Sequence, residues 1–142
     1  MNKLGAYKMD GLGNDFIIFD KRKKSISLTK NQIIEISDRS NIGCDQVIFV
    51  DTDKGSDAYL TFYNSDGGEI EACGNGSRCA AYLLMKENNT KEIALKTKAG
   101  ILQAKLDNKN LVSINIGQPN FEWKKIPLLK EMDNKNLKIK IK

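Results

Sequence analysis

The chain has 142 residues, 40% of them hydrophobic and 29% charged, with a net charge of +5 and no histidine. Such a composition fits a globular domain with a real core, and no apolar run is long enough to span a bilayer. Without histidine, Cys–His and Ser–His nucleophile pairs and the usual zinc ligand sets are excluded from within the chain, so no metal site is expected.

The lysines are scattered and the only arginines are Arg22, Arg39 and Arg78. That pattern reads as a solvated surface, not a nucleic-acid face with clustered Arg and interleaved aromatics. Cys44, Cys73 and Cys79 make an odd count, which argues for reduced thiols rather than a disulfide framework. The N-terminal residues lack the apolar stretch of a secretory signal, so a cytoplasmic location is expected, with no membrane partner.

In chain order, Leu4 to Met9 and Asp15 to Asp20 read as strands around the turn Gly11-Leu12-Gly13-Asn14. Thr29 with Gln32 forms a capping-box pattern ahead of Ile33, Ile34 and Ile36, which predicts a short helix. It should stop near Asn41-Ile42-Gly43, where Gly43 can take a positive φ. Gln46 to Asp51 reads as a strand. Ala58 to Tyr63 has period-two alternation and is expected to be buried on both faces. Asn64 to Gly68 is a tight turn, and Glu69 to Ala72 the return strand.

Gly76 to Lys86 reads as a helix that is apolar on every side, and such a helix belongs inside a fold. Three more strands follow, Glu92 to Thr97, Ile101 to Asp107 and Leu111 to Gly117. Pro119 and Pro127 flank a linker-like stretch, and Asn136 to Lys142 alternates as a strand with no partner after it. The pattern predicts an α+β fold, a mostly antiparallel sheet curled around a central buried helix. Residues 1–118 are expected to form one lobe, and residues 119–142 a crossover with the start of a second.

Cys73 sits directly before a Gly-Asn-Gly turn and the buried helix. The first amides of a helix have no internal partners and form an anion site. A thiol there has its thiolate stabilised. Thiol and amides together suit a base held beside a bound carboxylate, with the developing charge of a deprotonated α-carbon stabilised by the amides. Cys44 and Cys79 read as small buried hydrophobes.

Three segments taken together resemble the diaminopimelate epimerase family. They are Lys8-Met9-Asp10-Gly11-Leu12-Gly13-Asn14-Asp15-Phe16, Arg39-Ser40-Asn41-Ile42-Gly43-Cys44-Asp45-Gln46, and Tyr63-Asn64-Ser65-Asp66-Gly67 through Cys73-Gly74-Asn75-Gly76-Ser77-Arg78-Cys79. They stand in the family's order and at its spacing. The resemblance implies a cofactor-independent epimerase that interconverts L,L- and meso-diaminopimelate, a small amino-acid substrate on the route to lysine and peptidoglycan. It implies two similar lobes with the substrate between them.

Carried over, Cys73 would be one of two catalytic thiols. Gly74 and Asn75 would present backbone amides to the α-carboxylate, and Asn14, Gln46 and Asn64 would hold the substrate through side-chain amides. The second thiol belongs to the family's other lobe, so this chain alone is expected to be inactive, with a separate second lobe or a second copy as its partner. Two other readings stand beside this one. One is a related two-thiol racemase or isomerase of the same fold; the other is a non-catalytic binding or assembly module that pairs through an exposed sheet edge.

Overall fold

The computed structural model describes residues 4–140. Strands β1 (Tyr7–Gly11) and β2 (Asn14–Asp20) form a hairpin. Both turn residues, Leu12 and Gly13, have positive φ, at 61° and 81°. This is the primed turn geometry whose twist matches paired strands. It fixes the register from the tip, Gly11 opposite Asn14 through Tyr7 opposite Ile18. The first strand therefore begins at Tyr7 and not at Leu4, because the register follows from the turn and not from the apolar pattern.

Helix α1 (Lys30–Ser37) starts at the expected capping box, with Thr29 and Gln32 bonding each other's backbone. Strands β3 (Gln46–Asp51), β4 (Ala58–Asn64) and the two-residue β5 (Glu69–Ile70) follow. Helix α2 (Gly74–Asn88) leads to β6 (Glu92–Thr97), β7 (Gly100–Leu106) and β8 (Val112–Asn115). All eight strands belong to one sheet, ordered β1-β2-β3-β4-β6-β7-β8, with β5 beside β4.

The α+β class and the enclosed helix match the sequence reading, but the pairing is more mixed than expected. Five pairings are antiparallel, while β2–β3 and β4–β6 are parallel. Parallel neighbours need a crossover connection, usually a helix, and each helix here supplies one. α1 lies between β2 and β3 in the chain, and α2 between β4 and β6.

The sheet curls so that α2 touches both β1 and β8, the two ends of the strand order. Ala80, Ala81, Leu84 and Met85 of α2 pack on Phe16, Ile18, Ile48, Leu60, Phe62, Leu95 and Leu102. Each large side chain fully buried in this way contributes about 1.5–3 kcal/mol relative to exposure. A second, outer cluster joins Ile17, Phe19, Val47 and Phe49 to Ile26, Ile33 and Cys44.

The strands buried on both faces are thus β2 and β3, not β4, whose Tyr59, Thr61 and Tyr63 are only half-buried. The signal was the unbroken apolar runs Phe16-Ile17-Ile18-Phe19 and Val47-Ile48-Phe49-Val50. Nor is α2 buried all round, since Tyr82 and Leu83 are half-buried and its last turn is exposed. Past β8 the described residues are irregular apart from a short 3-10 turn at Trp123–Lys125. The strand expected from Asn136 does not form over residues 136–140, and Ile141 and Lys142 lie outside the described residues. Alternation alone makes no strand without a neighbour to bond, and Ile139 stands 72% exposed.

Candidate active site

Helix α2 begins two residues earlier than the sequence pattern suggested. Cys73 is its N-cap, in extended conformation, and Gly74 and Asn75 form the first turn. The Gly76 amide donates to Cys73 Sγ at 3.4 Å. The Gly74 and Asn75 amides have no intrahelical acceptor, and among the described residues no other acceptor meets them. Cys73 is half-buried, whereas Cys44 and Cys79 are buried. Burial also pushes the Cys79 thiol above its ordinary pKa, and Cys44 lies 3.5 Å from Ser37 Oγ as a donor. Both behave as the packing residues expected.

The start of α2 can sit this deep because residue 76 is glycine. A Cβ there would come within 2.8 Å of Ile48 Cδ1 and 3.2 Å of the Phe16 and Phe62 rings. The helix backbone therefore rests on a row formed by Phe16, Ile48 and Phe62. Asn14, Gln46 and Asn64 each lie two residues from one of these three, on β2, β3 and β4. Strand periodicity turns them to the same inner face. Gln46 and Asn64 lie one step outside Ile48 and Phe62, with Phe16 opposite Gln46 and Asn14 one step further out on β2, at the end of the sheet where α2 begins.

Gln46 and Asn64 are also register partners, and Gln46 Nε2 donates to Asn64 Oδ1 at 2.9 Å. Gln46 Oε1 is buried with no partner among the described residues, as is Ser77 Oγ in α2. Buried polar atoms are usually paired, so an acceptor at Gln46 Oε1 and a hydroxyl at Ser77 Oγ, which can donate or accept, are left open to a ligand or water. The structure thus gathers Cys73, Gly74, Asn75, Asn14, Gln46 and Asn64 at one end of the sheet. This combination can hold a carboxylate on the helix amides and an amino-acid end on side-chain amides, beside a thiol that can carry a proton.

Arg78, which was given no role in the sequence reading, bonds Asn75 Oδ1. The i,i+3 spacing within a helix was the available signal. A partly open cavity of about 180 Å³ lies towards the other end of α2, lined by Tyr7, Ile18, Asp20, Arg22, Leu84 and Glu87 among others. It contains none of the site residues expected from sequence.

The family model described as diaminopimelate epimerase matches residues 6–122. The chain belongs to the diaminopimelate epimerase family. Among relatives named diaminopimelate epimerase, that of Pelagibacter ubique (strain HTCC1062) is 53% identical over 136 residues, covering 96% of this chain and 50% of the relative. That of Phenylobacterium zucineum (strain HLK1) is 44% identical over 133 residues, covering 93% and 48%. The chain spans about half the length of the curated relatives it matches.

The epimerase fold extends to more distant solved structures. A PhzF-family phenazine biosynthesis protein from Bacillus anthracis superposes with a TM-score of 0.58 at 21% identity, over 80% of this chain and 40% of that one. A hydroxyproline epimerase from Agrobacterium vitis gives 0.53 at 15%, over 77% and 40%. At such identities the likeness is one of fold.

Proposed function

We propose that this chain is the lobe of a diaminopimelate epimerase that carries one of two catalytic thiols, Cys73. In this reading residues 1–118 are the lobe and residues 119–142 the crossover to a second one. The observation that carries it is the half-buried thiol capping α2 beside unpartnered amides, facing the row Asn14, Gln46 and Asn64.

The chemistry needs no cofactor. The substrate α-carboxylate sits on the Gly74 and Asn75 amides, and Asn14, Gln46 and Asn64 orient it. As the α-proton leaves, negative charge spreads into the carboxylate, where preorganised N–H dipoles stabilise it most. Cys73 as thiolate removes the proton from one face of the carbon; in the reverse direction its thiol donates it. Inversion requires a second proton carrier on the opposite face. Cys44 and Cys79 are buried and cannot serve, so that group comes from outside these residues. A cytoplasmic location suits a reduced Cys73 thiol.

A chimera joining this chain to the second half of the Pelagibacter ubique relative tests the assignment. It should interconvert L,L- and meso-diaminopimelate, and Cys73→Ala should lower its kcat by about 10²- to 10⁴-fold, the usual contribution of a positioned acid or base. An unchanged rate in the Cys73→Ala chimera would remove Cys73 from the mechanism.

A further inference from the structure

The hydrogen-bonded ladder between β2 and β3 ends at Phe16 and Gln46. Asn14 lies two residues beyond that last rung, so the ladder does not set its distance from Gln46. Asn14 is paired with Gly11 of β1, and on the β3 side one backbone bond and an ionic cluster join the neighbouring Asp15 and Asp45. Asp15 follows Asn14 and Asp45 precedes Gln46, and strand alternation turns both carboxylates away from the amide row. The Asp15 N–H donates to Asp45 Oδ2 at 3.0 Å. The Asp45 N–H donates to Asp15 O at 3.0 Å and Asp15 Oδ1 at 2.9 Å.

Two carboxylates this close repel unless a cation lies between them. Arg39 supplies it. Its Nη1 donates to Asp15 Oδ2 at 2.7 Å, and its Nη2 to Asp15 Oδ1 at 2.8 Å and Asp45 Oδ1 at 2.7 Å. Lys8 Nζ adds a bond to Asp15 Oδ2 at 2.8 Å and one to the Gly43 carbonyl. The Arg39 guanidinium holds the Asp15 carboxyl well below the usual carboxylate range. Gly43, at φ +73°, lets the loop lie against the Arg39 stem, since a Cβ would come within 2.9 Å of Arg39 Cδ.

The geometry points to Arg39, Asp15 and Asp45 as a clasp that sets the spacing and orientation of Asn14 and Gln46 from behind the substrate-holding face. These are positioning residues, and the inference rests on reading Asn14 and Gln46 as substrate contacts. The Arg39 side chain is 61% exposed, so its ion pairs add little to global stability. The fixed fork of a guanidinium bridging two carboxylates gives direction instead.

NMR relaxation of the ¹⁵N-labelled full chain, without substrate, tests this. In Arg39→Met the Asn14 and Gln46 amides should lose order, with order parameters falling below about 0.6. The Gly74 to Gly76 amides should keep theirs, and the thermal midpoint should barely move. Arg39→Lys should follow Arg39→Met, because a lysine cannot bridge both carboxylates bidentately. Unchanged order in Arg39→Met, or full rescue by Arg39→Lys, would overturn the clasp. Should Arg39→Met fail to fold, Asp45→Asn takes its place: Gln46 loosening more than Asn14 supports the clasp, and any other pattern overturns it. If order falls but the chimera carrying Arg39→Met keeps its KM, the clasp stands and the substrate-contact reading of Asn14 and Gln46 fails.

Discussion

The two ends of α2 are finished in opposite ways. At its C-terminal end the Met85 carbonyl and the charged side chains find local partners. Asn89 takes the left-handed conformation and its N–H caps the Met85 carbonyl. Glu87 pairs with Arg22 and Lys23, and Arg22 also grips Asp20. At its N-terminal end the Gly74 and Asn75 amides and the atoms Gln46 Oε1 and Ser77 Oγ are left without partners among the described residues. The open end is the one that the proposed function assigns to substrate.

Substitutions on the apolar face should separate the two ends most strongly. Leu84→Ala, towards the closed end, removes a buried side chain and should cost about 2–5 kcal/mol in urea unfolding. Gly76→Ala, under the open end, forces a methyl against Ile48 and should cost about 1–3 kcal/mol by overpacking. It should also tilt the first turn and weaken substrate binding in the chimera, which Leu84→Ala should not.

A pH titration comes next in size. Arg22 holds the Asp20 carboxyl below its ordinary 3.8, and Lys23 and Arg22 hold Glu87 below its ordinary 4.5. A depressed folded pKa adds stability that is present above the unfolded value and lost as pH falls through the folded one. The thermal midpoint should therefore drop as pH falls below about 4.5, and Glu87→Gln should flatten that drop.

The smallest effect is expected at the hairpin tip. Leu12 is 89% exposed and has φ 61°. A left-handed conformation costs a branched side chain about 1–2 kcal/mol, and asparagine tolerates it better. Leu12→Asn should raise stability by about 1 kcal/mol or less. A fall would show that a contact of Leu12 within this chain outweighs the strain at φ 61°.

What the sequence revealed were the features whose causes are local. The capping box at Thr29, the positive φ at Gly43 and the helix after Cys73 all follow from neighbouring residues, although the first helix ends at Ser37, short of the stop expected near Asn41-Ile42-Gly43. The inner face of β4 was legible in its alternation. The parallel pairings were not, because direction depends on where a crossover returns. The amide row was gathered from the family resemblance; the physical reason for it, three strand ends side by side, needed the register. The Arg39 clasp was hidden because Lys8 and Asp15 come from one segment and Arg39 and Asp45 from another, and only the fold brings the two together. The strand pattern at Asn136 misled because alternation carries no information about a partner.

On the proposed assignment this chain holds one side of an epimerase site and one of its two proton carriers, Cys73. The most direct test incubates meso-diaminopimelate in D₂O with the 142-residue chain alone and, in parallel, with the chimera, following deuterium at the α-carbon. The chimera should label the carbon and invert it, and the chain alone should produce no epimer. Epimer formed by the chain alone at a rate like that of the chimera would contradict the account.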